Sequence, residues 1–242
     1  VEWHASLPST NTHLAERVKA VPGAPAGTVI AARTQTAGRG RQQRDWLTAP
    51  RRNLTFSFLW NAALEPRHVP SMAQAISVGI ALFLQQEGLE STIKWPNDVR
   101  VDGKKISGIL CEMVNTGSPG QTAIVAGIGL NVNMSVEEAA MIDQPATSLA
   151  IKTGRDWDVG AVLESLLNAL AGPLNRWASG GFAEIYDDYI RHAPEPGTVL
   201  RVRDGGRHVG GVFAGFNPHG ALRLALDDGT ERTFYSGDLS VE

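Results

Sequence analysis

Between Arg39 and Arg52 the chain carries five arginines against one acid, Asp45, a local charge of +4 in a protein whose 22 basic and 25 acidic residues leave a net −3. The segment begins Gln35-Thr36-Ala37-Gly38-Arg39-Gly40-Arg41-Gln42-Gln43-Arg44-Asp45-Trp46. Glycines at 38 and 40 let a backbone come close to a ligand, and the arginines offer forked donors that match carboxylate and phosphate oxygens. Taken alone, the loop reads equally well as a solvated basic loop or a contact for single-stranded nucleic acid. Trp46 is either a packing anchor or a stacking platform. A second cluster says more: Lys94-Trp95-Pro96-Asn97-Asp98, then Gly103-Lys104-Lys105-Ile106-Ser107-Gly108-Ile109-Leu110, and later Gly127-Ile128-Gly129-Leu130-Asn131. Three of the chain's five lysines lie within Lys94 to Lys105. Pro96 is expected to end a strand and turn Asn97 and Asp98 outward, where a carboxylate can hold Mg²⁺ and an amide can bond a nucleotide.

Several other chemistries are disfavoured. Gly38-Arg39-Gly40 and Gly127-Ile128-Gly129 both lack the third glycine of a dinucleotide fingerprint. Gly103-Lys104-Lys105 lacks the rest of a phosphate loop, no G-x-S-x-G occurs, and the six histidines show no metal-ligand spacing. A pI near 6.1 argues against a surface that is basic throughout. One cysteine, Cys111, cannot form an internal disulfide, and no apolar run has the length of a membrane span or a signal peptide's core. A cytoplasmic setting is expected, with Cys111 an inert core thiol.

The elements that must position these residues follow from periodicity. Val1 to Leu7 reads as extended, and Ser9 or Thr10 is a natural cap for a helix through Leu14 and Val18. Strands are expected over Thr28 to Arg33 and Leu54 to Trp60, flanking a functional loop from Thr36 to Arg52. Ser71 to Gln86 is a buried helix closed by Gly88. Three β-like runs follow, Ser91 to Trp95, Lys105 to Val114 and Ala123 to Val132, separated by turns at Val101 to Lys104 and Asn115 to Gly120. Helices return at Val159 to Ala178 and Phe182 to Arg191, with Trp3, Trp60 and Trp177 assigned to packing. Pro194-Glu195-Pro196-Gly197 marks a boundary, so that residues 1–194 and 195–242 are expected as two domains. Beyond it come four short strands, Thr198 to Arg203, His208 to Ala214, Ala221 to Leu226 and Glu231 to Tyr235. A β-domain of that size is marginal alone and is expected to pack on the larger one.

Together with Ser9-Thr10-Asn11, these motifs closely resemble the catalytic domain of biotin protein ligases, in order and spacing, across essentially the whole chain. The resemblance includes the C-terminal β-domain ending Ser236-Gly237-Asp238-Leu239-Ser240. It implies an α+β fold: a mixed β-sheet with helices, of the class II synthetase-like biotin/lipoate ligase kind, plus a small SH3-like β-barrel. It also implies joining of biotin to ATP as biotinyl-5′-AMP, with Mg²⁺, then transfer to a lysine of a biotin carboxyl carrier domain. Carried across, Ser9, Thr10, Asn11, Gln35, Gly38, Arg39, Gly40, Arg41, Lys105 and Gly108 are biotin contacts. Arg41, Arg44, Trp46, Asn97, Lys105 and Asn131 are ATP contacts, with Trp46 over the adenine. Arg41 and Lys105 are catalytic, and Asp98 is the metal ligand and the candidate acceptor for the incoming lysine's proton. Gln43 departs from the family, which commonly has glycine there, and this bears on the loop's flexibility. The resemblance allows a homodimer. Two alternatives stand beside it: a lipoate or octanoate ligase on the same fold, and a DNA-binding repressor, disfavoured because Ser9-Thr10-Asn11 leaves no room upstream in this chain for a DNA-binding domain.

Overall fold

The protein was analysed as a computed structural model that describes residues 1–20, 24–46, 52–62, 68–115 and 122–241. Residues 47–51 of the expected 36–52 loop and residues 116–120 of the expected Asn115 to Gly120 turn lie outside the described residues.

The chain runs β1 (Glu2–His4), α1 (Thr10–Ala20), β2 (Val29–Ala32), β3 (Leu54–Ala62) and α2 (Val69–Gln86). It continues with β4 (Thr92–Lys94), β5 (Asp98–Val101), β6 (Lys104–Val114) and β7 (Thr122–Leu130). Four helices follow, α3 (Val136–Ala140), α4 (Leu149–Thr153), α5 (Val159–Gly180) and α6 (Tyr186–Ile190), the last entered through a 3-10 turn over Gly181–Ile185. The final strands are β8 (Val199–Asp204), β9 (Arg207–Phe216), β10 (Leu222–Ala225), β11 (Glu231–Phe234) and β12 (Asp238–Val241).

The first seven strands form one mixed sheet in the order β1-β2-β3-β7-β6-β5-β4, with β1 and β2 parallel and every other pair antiparallel. Side chains alternate across it, so each face has its own cover. Val29, Ala31, Phe56, Phe58, Ile124, Ala126 and Ile128 meet α2 and α5 in the main core. Ile30, Ala32, Leu59, Ala123 and Val125 meet Leu14 and Val18 of α1 on the opposite face. Continuing the α1-facing register along β3 and β7 gives Thr55, Ser57, Gly127 and Gly129. There the apolar cover gives way to polar groups and bare backbone.

The remaining strands make a five-stranded antiparallel sheet, order β11-β10-β9-β8-β12. It packs on the larger unit, as expected: Leu200, Val202, Phe213 and Phe216 belong to the main core, and Phe216 meets Phe182 at 5.9 Å and Tyr189 at 5.2 Å between ring centroids. The Gly220 carbonyl accepts from both Gln74 and Trp95, each at 3.0 Å. Strands β5 and β12 and helices α3 and α4 were not anticipated. The tail motif Asp238-Leu239-Ser240 is itself strand, paired with Arg203, Val202 and Arg201.

Candidate active site

Ser9 caps α1, its hydroxyl accepting the Thr12 N–H at 3.4 Å, and so presents the helix's first turn to a cleft over the α1-facing side of the sheet. Thr10, 3 % exposed, and Asn11, 4 % exposed, sit at that turn. Gln35 Oε1 accepts the Thr10 N–H at 2.7 Å and lies 3.1 Å from the Thr10 hydroxyl oxygen. The arginine-rich segment lies over the same cleft as a small hairpin: Gly40 N–H bonds Arg44 O at 2.7 Å and Trp46 N–H bonds Gly38 O at 2.9 Å. Its tip is a 3-10 turn, Arg41–Gln43, in which Gln42 takes the left-handed conformation at φ 54°. The positive-φ residue of this turn is Gln42 and not Gln43, where the family's glycine was expected to matter.

The floor is glycine because side chains from above rest on backbone. A Cβ at Gly127 would lie 2.1 Å from Asn11 Oδ1, and one at Gly129 would lie 2.2 Å from the Trp46 indole. Gly108, opposite Gly129 in the sheet, would meet Trp46 at 2.9 Å and the end of the Lys105 chain at 3.1 Å. The Gly-Ile-Gly of β7 is therefore a seat, with one glycine under α1 and the other under the arginine hairpin.

The cleft's other end is charged. Arg41, Arg44, Lys94 and Lys105 line it with the carboxylates Asp98 and Asp238, while Arg39 lies toward the neutral end, bonding Thr12 at 3.1 Å and Glu112 at 3.3 Å. Lys105 Nζ contacts Asp98 at 2.8 Å and lies 5.5 Å from the Trp46 ring centroid. Arg41 donates to Asn97 Oδ1 at 3.1 Å, while the Asn97 amide donates to Ile109 O at 2.9 Å. Burial pulls the Arg41 guanidinium below its ordinary value and the Asp98 and Asp238 charges pull it back. An arginine stays cationic at neutral pH through such a shift. Asp238, from the second sheet, accepts from Lys94 at 2.6 Å and Arg44 at 2.7 Å. Burial pushes its carboxyl up, but these two hydrogen bonds outweigh it and hold it at about 2.

Of the expected site residues, Ser9, Thr10, Asn11, Gln35, Arg39, Gly40, Arg41, Arg44, Trp46, Asn97, Asp98, Lys105 and Gly108 line this one cleft. Asn131, which is not among the lining residues, is 3 % exposed and bonds Thr147 O at 3.0 Å, so it braces the strand end that carries Lys105. Gly38 lets the hairpin close, since a Cβ there would lie 2.6 Å from Trp46 O. Two expectations are corrected. Asn97 and Asp98 do not turn outward: Asp98 opens β5, pairs with Lys94 and Gly108, and leaves only 13 % of its side chain exposed. Arg52 does not join the cationic cluster but donates to Asn133 O at 2.6 Å. Sequence reasoning missed Asp238, Gly127, Gly129 and Lys94 as lining residues, and Ser57 and Glu112 behind the wall. Alternation along β7 and β3 was the available signal for the glycines and Ser57.

Among the described residues, Glu2, His4 and His13 are the one grouping close enough to share a metal, and they do not line the cleft. Burial pushes the Cys111 thiol up to about 12, which disfavours the thiolate at neutral pH.

Residues 3–131, more than half of the chain, match the biotin/lipoate A/B protein ligase family. The chain belongs to that family. Residues 200–241 match the biotin protein ligase C-terminal domain. The "Biotin--[acetyl-CoA-carboxylase] ligase" of Paracoccus denitrificans is 34% identical over 232 residues, covering 90% of this chain and 92% of that one. The "Bifunctional ligase/repressor BirA" of Bacillus subtilis is 29% identical over 220 residues, 90% of this chain and 67% of that protein. Among solved structures, the biotin protein ligase from Aquifex aeolicus in complex with biotin and ATP aligns with a TM-score of 0.82 at 28% identity, covering 99% of this chain and 97% of that one.

Proposed function

We propose that this family member is an ATP-dependent biotin protein ligase, which activates biotin as biotinyl-5′-AMP and transfers it to a lysine of a biotin carboxyl carrier domain. In this reading residues 1–194 are the catalytic domain and 195–242 the C-terminal β-domain. The observation that carries it is one cleft with two unlike ends: neutral hydrogen-bonding groups at Ser9, Thr10 and Gln35, and cations at Arg41, Arg44, Lys94 and Lys105. A glycine-floored strip under Trp46 joins them. A ligand with a polar heterocycle, an apolar middle and a carboxylate tail fits that order.

In the first step the biotin carboxylate attacks the α-phosphorus of ATP and pyrophosphate leaves. Two unit charges about 4 Å apart repel by about 4 kcal/mol at an effective dielectric of 20. At ~1.4 kcal/mol per factor of ten, one such unscreened repulsion costs about a thousandfold in rate. Lys105, reaching both the carboxylate and the α-phosphate, offsets it, with Arg41 beside it and Arg44 toward the outer phosphates. In the second step the carrier lysine attacks the acyl carbonyl and AMP leaves. No protein nucleophile is needed, because the acyl adenylate is already activated, and Asp98 is the carboxylate available to take the amine's proton. Asp98 is the carboxylate that would hold a Mg²⁺ arriving with ATP, and the ion would supply neutralisation of phosphate charge there. Trp46, seated on Gly108 and Gly129, covers the strip leading to the carboxylate; this favours a contact with biotin's apolar middle over the adenine contact first expected.

The test is pyrophosphate release with ATP, Mg²⁺ and either biotin or lipoate, followed by labelling of an apo carrier domain. Biotin-dependent release and labelling are expected. Release with lipoate alone would assign the chain to the lipoate branch instead.

A further inference from the structure

Behind the polar end of the cleft lies a chain of hydrogen bonds whose direction can be worked out from its first member. Asn11 Nδ2 lies 2.8 Å from Glu112 Oε2 and 3.2 Å from Leu110 O. Both partners only accept, so the amide's NH₂ must face them and its oxygen must face the other way. That oxygen is 2.6 Å from Ser57 Oγ, in the fully buried middle of β3. Ser57 has one proton and must spend it there. Its oxygen is then an acceptor toward Thr10 Oγ1, at 2.7 Å. Thr10 spends its own proton on Ser57, at 2.7 Å the nearer acceptor, with Gln35 Oε1 farther at 3.1 Å. Glu112 is itself steadied by Arg39 at 3.3 Å. Asn11 has both its N–H groups and its oxygen engaged by the protein, which suits it to a positioning role.

Resting on the biotin reading, we propose that Glu112 is a positioning residue that fixes the polarity of the cleft's neutral end through the relay Glu112–Asn11–Ser57–Thr10, so that Thr10 Oγ1 offers only lone pairs and selects a ureido N–H. Every proton in the relay points inward, away from the ligand. Replacing the carboxylate by a group that does not accept leaves the Asn11 amide held only by its longer 3.2 Å contact to Leu110 O, and the direction of each later bond is weakened with it.

The experiment is steady-state pyrophosphate release by the full chain, with biotin and with a biotin analogue methylated at a ureido nitrogen. Glu112→Ala is expected to raise KM for biotin about tenfold, as for loss of one well-made hydrogen bond, with kcat and KM for ATP within about twofold. Wild-type preference for biotin over the methylated analogue shrinks by the same factor. Glu112→Gln, whose amide oxygen still accepts from Asn11, restores KM to within about threefold. Ser57→Ala reproduces the Glu112→Ala defect, and the double variant is no worse than the poorer single one, because one relay is broken once. Should Glu112→Ala not fold, Ser57→Ala and Glu112→Gln carry the same comparison. Unchanged biotin KM, additive effects, or a Glu112→Gln as impaired as Glu112→Ala would overturn the relay alone. No biotin-dependent release by the wild type would overturn the substrate reading and the relay with it.

Discussion

Lys105 is held from three sides at once. Its backbone N–H bonds Pro145 O at 2.8 Å and its carbonyl accepts from Thr147 at 2.9 Å, while its ammonium pairs with Asp98. A flexible four-carbon chain is thereby given a fixed root and a single direction, which preorganises its charge within the cleft. Lys105→Ala is predicted to lower biotin-dependent pyrophosphate release by about a thousandfold, the factor that one unscreened charge pair costs. The thermal midpoint is measured beside it, because the change also strips Asp98 of its partner. A folded Lys105→Ala that keeps full activity would move the catalytic role elsewhere.

At the scale of elements, the site is a helix turn and a hairpin resting on bare strand. Gly129→Ala tests this directly, since the new methyl would lie 2.2 Å from the Trp46 indole and the ring must lift. A displacement of about 1 Å in a positioning element costs on the order of a hundredfold. The predicted outcome is that loss in kcat/KM for biotin with the thermal midpoint almost unmoved, because Trp46 sits in the cleft and not in the core. An unfolded variant, or one with wild-type kinetics, would show that the glycine serves strand packing instead. The same elements show what the sequence disclosed. Periodicity revealed β2, β3, α2, β6 and β7 because their apolar residues repeat over several turns or alternations. Strand β5 escaped because its four residues lie between Pro96 and the Asp102-Gly103 turn, where local chemistry reads as loop. Helix α3 escaped although its capping box is in the sequence: Ser135 and Glu138 bond each other's backbone N–H groups. Many of the residues lining the cleft were legible as motifs and Ser57 by alternation along β3, whereas Glu112 and Asp238 come to the site through sheet register and packing, which no local window contains.

Across the whole molecule, the second sheet completes the cationic end of the cleft through one side chain. Asp238 on β12 joins Lys94 at the end of β4 to Arg44 in the hairpin, so both sheets and the loop share a single carboxylate. Its carboxyl is held at about 2, against an ordinary value of 3.8. A depressed folded-state value means that the unfolded chain binds the proton more readily. The stabilisation is thus complete above pH of about 4 and is lost as pH falls through about 2. Asp238→Asn, which cannot accept as a charge, is predicted to have a lower thermal midpoint than the wild type at pH 7 and a shallower decline between about pH 4 and 2. The same variant should weaken ATP more than biotin, because Lys94 and Arg44 lose the group that orients them while Thr10 and Gln35 keep theirs. Thermal scans across that pH range, paired with separate KM values for the two substrates, check both halves. Parallel pH profiles for variant and wild type would mean that the two sheets are joined by the Gly220 and Phe216 contacts alone.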